Sequence, residues 1–275
     1  MGNLFFFELK SRIKGIIGWS LGLIAFGGLY ISVYPEVAAQ FRSLNDLAIY
    51  QAMGVELATF EGYLSSVVLG FLPILLGIYA LLMGTGTLSG EEDAGTLELL
   101  MAKPLSRSQI VTVKAAAIAL ILGVILLVTA LGDALIFAAV KSAMDVDTPL
   151  TSLDLARVIL SAFPICLSLG MIALFLGTLM PSRRPASALT GLVLVAGYFG
   201  ENFSAMAESL EPWKPIFLFS YYDSSSKVFS EGVAAGDLAV LLGLSAAAFL
   251  LALLCFQKRN VTTASWVWKR GRLPG

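Results

Sequence analysis

Histidine is absent from this chain of 275 residues, and charged residues of both signs are scarce. Without histidine, the sequence lacks the commonest metal ligand and the commonest general base of enzymes. The two cysteines, Cys166 and Cys255, lie within apolar runs, where we expect small buried side chains rather than a disulfide or a zinc pair. We therefore predict that the chain holds no metal and has no catalytic residue.

Charged residues make up only 13% of the composition, whereas 57% of the residues are hydrophobic. A soluble protein of this length normally carries about a quarter charged residues, so the composition predicts an integral membrane protein. The net charge of −1 gives no electrostatic basis for binding nucleic acid. The sequence also lacks a G-x-x-x-x-G-K-[ST] string, the loop that binds nucleotide phosphates.

The apolar residues form long stretches that predict an all-α membrane protein with a single domain, 1–275. Six stretches are predicted to cross the membrane as helices: 16–34, 62–88, 110–140, 158–180, 186–199 and 238–256. Pro35 is predicted to end the first span, and Pro73 to kink the second. Glu201 leaves the fifth span with only marginal length.

Asp133 is the only ionisable residue well inside a predicted span. Ionisable residues in spans are functional candidates by default, so a substrate or ion role is one interpretation. However, Asp133 follows Lys114 by about 28 Å of helix at about 1.5 Å per residue. This distance favours a position near the outer interface.

The two ends of the chain are predicted to lie at the membrane surface. Residues 1–15 combine an apolar stripe (Phe6, Leu9 and Ile13) with a basic face, which is typical of a helix in the interface. Residues 257–275 form a basic tail with two tryptophans, suited to anionic lipid. If both ends are cytoplasmic, 13 of the 18 Lys and Arg residues lie inside, which agrees with the positive-inside rule.

Residues 200–237 are predicted to form an outer loop. Its aromatic run, Pro215 to Tyr222, is too short to cross the membrane and lies between charged residues. The run is predicted to be either a re-entrant element between helices five and six or a simple aromatic anchor at the interface.

Residues 89–109 join the second and third spans and contain more charges and helix signals than any other such connection. Ser89 and Glu92 have the spacing of a capping box, and Ser106 and Gln109 have the spacing of a second one. Several acids lie close together here, beside a membrane surface that is itself negative, so a protein partner is the expected neighbour. The alternative is a solvated turn between two helices.

The string Gly90-Glu-Glu-x-x-Gly-Thr-Leu-Glu-Leu-Leu100 is followed by Lys103-Pro-Leu-Ser-Arg107, then by Ile110-Val111 and Lys114. This order resembles the signature of ABC-2-type transporter permeases. The resemblance implies that residues 89–109 are a coupling segment that docks on a separate ATPase. The implied coupling residues are Glu91, Glu92, Asp93, Gly95, Thr96, Glu98, Leu99, Leu100, Pro104 and Arg107.

The resemblance also implies a role for the whole chain, as the permease of an ATP-driven exporter in the plasma membrane. Residues 1–15 would be an interfacial elbow helix, and both termini would be cytoplasmic. An outer gate would include Pro215, Phe217, Phe219, Tyr221 and Tyr222. The implied partners are two ABC ATPase subunits, which bind ATP and Mg, and a second permease chain, identical or related. A secondary transporter or channel is the alternative, and the sequence leaves the cargo open.

Overall fold

The computed structural model describes residues 2–45, 59–93, 95, 97, 105–144, 148–180 and 182–259. Helix accounts for 88% of the structure, and no strand occurs in these ranges, so the predicted all-α fold class is confirmed. The helices are α1 (Gly2–Ser11), α2 (Ile13–Asn45), α3 (Phe60–Leu64), α4 (Gly70–Thr87), α5 (Ser89–Asp93), α6 (Arg107–Met144), α7 (Ser152–Leu160), α8 (Phe163–Leu179), α9 (Arg183–Met206), α10 (Val228–Glu231) and α11 (Ala235–Lys258). A π-helical turn, Ser65–Leu69, joins α3 to α4, and two 3₁₀ helices, Glu208–Ile216 and Leu218–Tyr221, precede α10.

Five helical stretches of the described chain are long and apolar enough to cross a membrane. They are Ile13–Ala38, Phe60–Thr87, Arg107–Ser142, Ser152–Leu179 and Ala235–Lys258. The remaining predicted span corresponds to α9, which has 24 residues. Although α9 would extend about 36 Å, it carries Arg183, Arg184 and Glu201 and is less apolar than the other five. Six spans therefore remain a prediction, with five supported by length and composition.

The one span boundary that was predicted from proline is wrong. The first helix does not end at Pro35 but continues to Asn45, with the proline inside it. A proline inside a helix loses one backbone hydrogen bond, which packing of the surrounding side chains can offset. In this region Tyr34 is buried and packs on Phe60, with ring centroids 4.9 Å apart. The fourth span is broken at Ser161 and Ala162, and Pro164 lies in the first turn of α8, where proline is well tolerated.

The core lies where α8 is surrounded by other helices. α8 packs against α4, α6, α9 and α11, while α2 packs along α6. Side chains such as Ile165, Leu169 and Leu174 are completely buried there. By contrast, α2 and α11 leave most of their apolar window exposed, as helices facing lipid or another subunit would.

Candidate functional site

The candidate site lies at the acidic end of the second span. α5 follows α4 with only Leu88 between them, and the Glu92 amide donates to the Leu88 carbonyl at 3.0 Å. The predicted capping box at Ser89 is wrong, because its buried hydroxyl donates backwards to the Thr85 carbonyl at 2.6 Å. The chain runs helically through this point, so Ser89 is not the non-helical residue that a cap requires.

Gly95 ends this helical stretch. Its amide donates to the Glu92 carbonyl at 3.0 Å, and its φ of +69° lies in the left-handed region that favours glycine after a helix. After the turn, Leu97 is buried in the core. Three acids on α5, Glu91, Glu92 and Asp93, define what we call the acidic cluster.

Glu91 binds a lysine that is completely buried in the bundle. The Lys114 ammonium, with a side-chain exposure of 0%, lies 2.6 Å from Glu91 Oε1 and 2.7 Å from Glu8 Oε1. Glu8 is on α1 and Lys114 is on α6, so one cation joins three helices. Arg12, at the junction of α1 and α2, adds a bond to Thr87 Oγ1 at 3.1 Å. These contacts fix the N-terminal helix to the end of the second span.

Glu92 binds an arginine at the end of the last helix. Arg259 Nη2 lies 2.5 Å from Glu92 Oε2, and the arginine side chain is only 2% exposed. Its Nη1 atom donates to the carbonyls of Gly177 and Thr178 at 2.8 and 2.9 Å. These carbonyls lie in the last turn of α8, where helical carbonyls lack backbone donors and attract positive charge. The pair therefore joins α5, α8 and the end of α11.

Asp93, the third acid, contacts the start of α9. Its Oδ2 atom accepts a hydrogen bond from the Arg183 backbone amide at 3.0 Å. This amide belongs to the first turn of α9, where it has no partner within the helix, so Asp93 supplies one. The Arg183 guanidinium donates to the Leu82 carbonyl on α4 at 3.3 Å. Each acid of the cluster thus reaches a different helix.

Arg107, a predicted coupling residue, stabilises the same end of the bundle from α6. Its Nη1 atom donates to the carbonyls of Phe256, Gln257 and Arg259 at 3.2, 3.2 and 2.6 Å. The guanidinium therefore caps the C-terminus of α11 and holds the backbone of the residue that binds Glu92.

The predicted capping box just before Arg107 is confirmed by two reciprocal hydrogen bonds. The Ser106 amide donates to Gln109 Oε1 at 2.9 Å, and the Gln109 amide donates to Ser106 Oγ at 3.2 Å. α6 consequently begins at Arg107.

Burial dominates the electrostatics of the cluster. It raises the pKa of Glu91 and Glu92 above the ordinary value, and the attraction of Lys114 and Arg259 offsets only part of this effect. For the same reason, burial lowers the pKa of Arg259. The ions are therefore held at a desolvation cost, which makes their pairing sensitive to any movement that separates them.

The acidic cluster differs from its prediction in one important respect. The sequence suggested that these acids face a partner, but all three are bound within the chain. The residues that bind two of them, Lys114 and Arg259, were not predicted as ligands, although Lys114 belongs to the family signature. Glu8 was missed entirely, since it lies 106 residues from Lys114 in sequence.

Several predicted coupling residues lie outside the described residues. They are Thr96, Glu98, Leu99, Leu100 and Pro104.

The predicted gate residues form a compact unit against α9. Phe219 is buried and packs edge-on against Tyr198 at 5.6 Å, while the Phe217 ring lies on Gly200. Tyr221 donates to the Pro215 carbonyl at 2.7 Å, which closes the 3₁₀ segment on itself. These residues are thus brought together, at the opposite end of the bundle from the acidic cluster.

Tyr222 connects this unit to the second span. Its hydroxyl donates to the Leu69 carbonyl at 3.2 Å. That carbonyl lies four residues before Pro73, which has no amide hydrogen to donate to it. Burial raises the pKa of Tyr222, so the hydroxyl stays a donor at neutral pH. The tyrosine therefore replaces a hydrogen bond that the proline removes.

Comparison with known proteins agrees with this arrangement of apolar spans around a charged end. No curated protein matches the chain. A sequence model described as "ABC-2 family transporter protein" matches residues 3–261, which includes every helix of the bundle and the whole acidic cluster. Proteins of this family are the transmembrane subunits of ABC transporters, typically not catalytic themselves, and work with ATPase partners. The chain therefore belongs to the ABC-2 family and is a multi-pass membrane permease of an ABC transporter.

Proposed function

We propose that the chain is one permease half of an ATP-driven exporter, and that residues 89–109 are the segment on which a separate ATPase docks. One observation carries this proposal: the three acids of α5 reach α6, α9 and the end of α11, each through a different contact. A movement imposed on this segment is thereby passed to most of the spans. The outward direction of transport rests on the family resemblance.

The length of α5 supports this role. A helix of five residues is too short to be stable by its own backbone hydrogen bonds, so its position is set by what it touches. Glu91 connects it to α1 and α6 through Lys114, and Glu92 connects it to α8 and α11 through Arg259. We infer that ATP-driven approach of the two ATPases shifts this segment, and that the ion pairs pull the attached helix ends with it.

The proposed orientation puts the acidic cluster and both termini in the cytoplasm, with the plasma membrane as the location. It is supported by the charge asymmetry of the sequence. The fold also supports it, because α1, the start of α6, the start of α9 and the end of α11 lie at the same end of the bundle as the acidic cluster. In this arrangement residues 1–15 act as the interfacial elbow, α9 is the fifth of six spans, and 257–275 is a cytoplasmic tail.

The proposed assembly has two permease chains, identical or related, and two ATPases that bind ATP and Mg. Residues 200–237 then form the outer loop, and the aromatic unit around Phe217 and Phe219 is its gate, on a re-entrant element. The contact of Tyr222 with the second span supports coupling between this gate and the helix that ends in the acidic cluster.

The docking proposal is tested with Leu99→Asp combined with Leu100→Asp, which removes the proposed apolar anchor and changes none of the ion-paired residues. We expect loss of co-purification with the ATPase and loss of ATPase stimulation, at unchanged thermal stability in detergent. The matched control, Leu153→Asp with Leu210→Asp, alters two exposed leucines at the other end and should keep the partner. If the first variant co-purifies at the wild-type ratio, residues 89–109 are not the docking surface.

The orientation is tested separately by cysteine labelling in a background without Cys166 and Cys255. Ser106→Cys and Ser182→Cys should react only with reagents applied from the cytoplasmic side. Labelling of Ser182→Cys from outside intact cells would contradict the proposed topology.

A further inference from the structure

Asp133 lies in the C-terminal half of α6 and takes no part in the contacts described above. The residue is only 1% exposed, and its Oδ1 atom is buried with no hydrogen-bond partner among the described residues. None of the ion pairs among those residues includes it. A buried carboxyl without a donor inside a membrane span requires a physical explanation.

The carboxyl group is pressed against the backbone of α2. A Cβ atom built on Gly27 would overlap the Asp133 side chain. A Cβ atom built on Gly132, the residue before Asp133, would likewise overlap the Ile24 side chain of α2. Only glycine at position 27 allows this approach. The side of the carboxyl that faces α2 has no room for a methyl group.

One other polar side chain on α6 and one on α2 also lack hydrogen-bond partners among the described residues. Thr129 precedes Asp133 by one turn of α6, and its buried hydroxyl has no hydrogen-bond partner in the described chain. Ser20 precedes Gly27 by two turns of α2, and its buried hydroxyl also has no hydrogen-bond partner in the described chain. The α2–α6 interface thus holds polar groups, and its described side chains include no cation that pairs with Asp133.

Charged groups on α6 itself are remote and bound elsewhere. Lys114 and Lys141 lie about 28 and about 12 Å from Asp133 along the helix at about 1.5 Å per residue. Lys114 binds two glutamates, and Lys141 donates to the carbonyls of Thr148 and Leu150 at 2.8 and 2.7 Å. Neither cation is available to Asp133.

The helices packed against α6 also supply no partner. The titratable side chains that the structure describes on these helices are Glu8 and Lys10 of α1, Lys14, Tyr30, Tyr34 and Glu36 of α2, Tyr79 of α4, Asp154 and Arg157 of α7, Cys166 of α8, and Asp237, Cys255 and Lys258 of α11. α3, whose Phe60 ring stacks on Phe137 of α6, adds Glu61 and Tyr63. No hydrogen bond or ion pair connects any of them to Asp133 in the described chain. Tyr30, one turn from Gly27, is the nearest of these along α2.

An ionised carboxylate in such surroundings is strongly destabilised, and a buried acid without a counterion becomes neutral by binding a proton. We propose that Asp133 is a proton-binding site that closes the interface between α2 and α6. The proton stays on the carboxyl while the two spans are packed together, and it leaves when their separation admits water. Any step of transport that opens this interface therefore releases a proton, and closing takes one up. The inference does not depend on where the ATPase docks.

Infrared spectroscopy of the full chain in lipid vesicles tests the proposal directly. The difference between wild type and Asp133→Asn at neutral pH should contain the C=O stretch of a protonated carboxylic acid. Carboxylate bands alone would overturn the proposal. If the Asn variant does not fold, the wild type is labelled with ¹³C-carboxyl aspartate. The proposal predicts that the C=O band of the protonated acid shifts on labelling. If no protonated-acid band shifts, no aspartate holds a proton and the proposal is overturned.

The pH dependence of stability gives a second, independent measurement. A carboxyl that holds a proton only in the folded state makes the folding equilibrium constant fall by up to about tenfold per pH unit above about pH 5. Wild type should show this extra slope, and Asp133→Asn, whose amide does not titrate, should not. Parallel profiles for the two proteins would refute proton binding.

The contact between Asp133 and α2 is tested with a matched pair of glycine variants. Gly27→Ala should displace the carboxyl and weaken the protonated-acid band, because its Cβ takes the space that Asp133 occupies. Gly22→Ala adds the same methyl group where it meets nothing within 4 Å, so both the band and the stability should persist. Equal effects of the two substitutions would show that the packing on Gly27 does not create the site.

Discussion

Replacing Lys114 with methionine is the sharpest test of the acidic cluster. The substitution keeps most of the apolar stem but removes the ammonium that lies between Glu8 and Glu91 at 2.7 and 2.6 Å. The two carboxylates would then share a largely buried space in which the only remaining cation among the described residues is Arg12, 3.8 Å from Glu8 Oε2. We expect the end of the second span to lose its attachment to α1 and α6.

The magnitude follows from the burial of the pair. Lys114 is fully buried and the Glu8 side chain is 5% exposed, so solvent screens their interaction little. Removing one partner of a buried ion pair costs roughly 3–5 kcal/mol, because the remaining charge is left uncompensated. Lys10 is exposed on the neighbouring helix, and Lys10→Met should cost less than about 1 kcal/mol.

The assay is reversible unfolding of the purified permease in mixed detergent micelles, followed by tryptophan fluorescence. Lys114→Met should lower the free energy of unfolding strongly, and Lys10→Met should leave it almost unchanged. Adding Glu8→Gln and Glu91→Gln to Lys114→Met should restore much of the loss, because neutral groups no longer need a cation.

Two outcomes would refute this reasoning. If Lys114→Met unfolds within about 1 kcal/mol of wild type, the buried ion pair does not stabilise the fold as a buried pair should. If the neutralised triple variant is no more stable than Lys114→Met, the loss comes from packing around the lysine and not from uncompensated charge.

Three further predictions concern other parts of the two ends. Gly95→Ala should destabilise the fold by about 1–2 kcal/mol, because an alanine would have to adopt a φ of +69°; thermal unfolding measures this effect. Tyr222→Phe should cost about 0.5–1.5 kcal/mol and speed amide exchange in the π-helical turn, because the Leu69 carbonyl loses its donor; unchanged exchange would argue against that hydrogen bond. Burial raises the pKa of Glu92, so in the pH range just above the ordinary glutamate value the folded chain holds protons that the unfolded chain lacks. Stability should therefore rise as the pH is lowered from neutral into that range, and Glu92→Gln should remove this part of the slope in a pH series of unfolding curves.

Local sequence signals predicted helix ends well where the ends depend on residues of a single helix. The capping box at Ser106 and Gln109 formed because Leu105 and Ser106 are not helical and α6 begins at Arg107. The same spacing at Ser89 failed because α4 runs directly into α5. Pro35 failed as a stop signal because α2 continues through it to Asn45, next to Tyr34, whose buried ring packs on Phe60.

The sequence by itself determined that this is an all-α membrane permease, because apolar length and family signature are properties of the linear chain. It also located the charged connection between the second and third spans. Only the tertiary structure decided what the charges do. Glu91 binds a lysine 23 residues away, Asp93 contacts an amide 90 residues away, and Glu8 meets the same lysine across 106 residues. Such pairs depend on how the helices pack, and no periodicity along the chain specifies that. The same holds for Asp133, which lies in an apolar helix in the sequence and becomes a buried acid without a cation only when Gly27 of α2 packs against it.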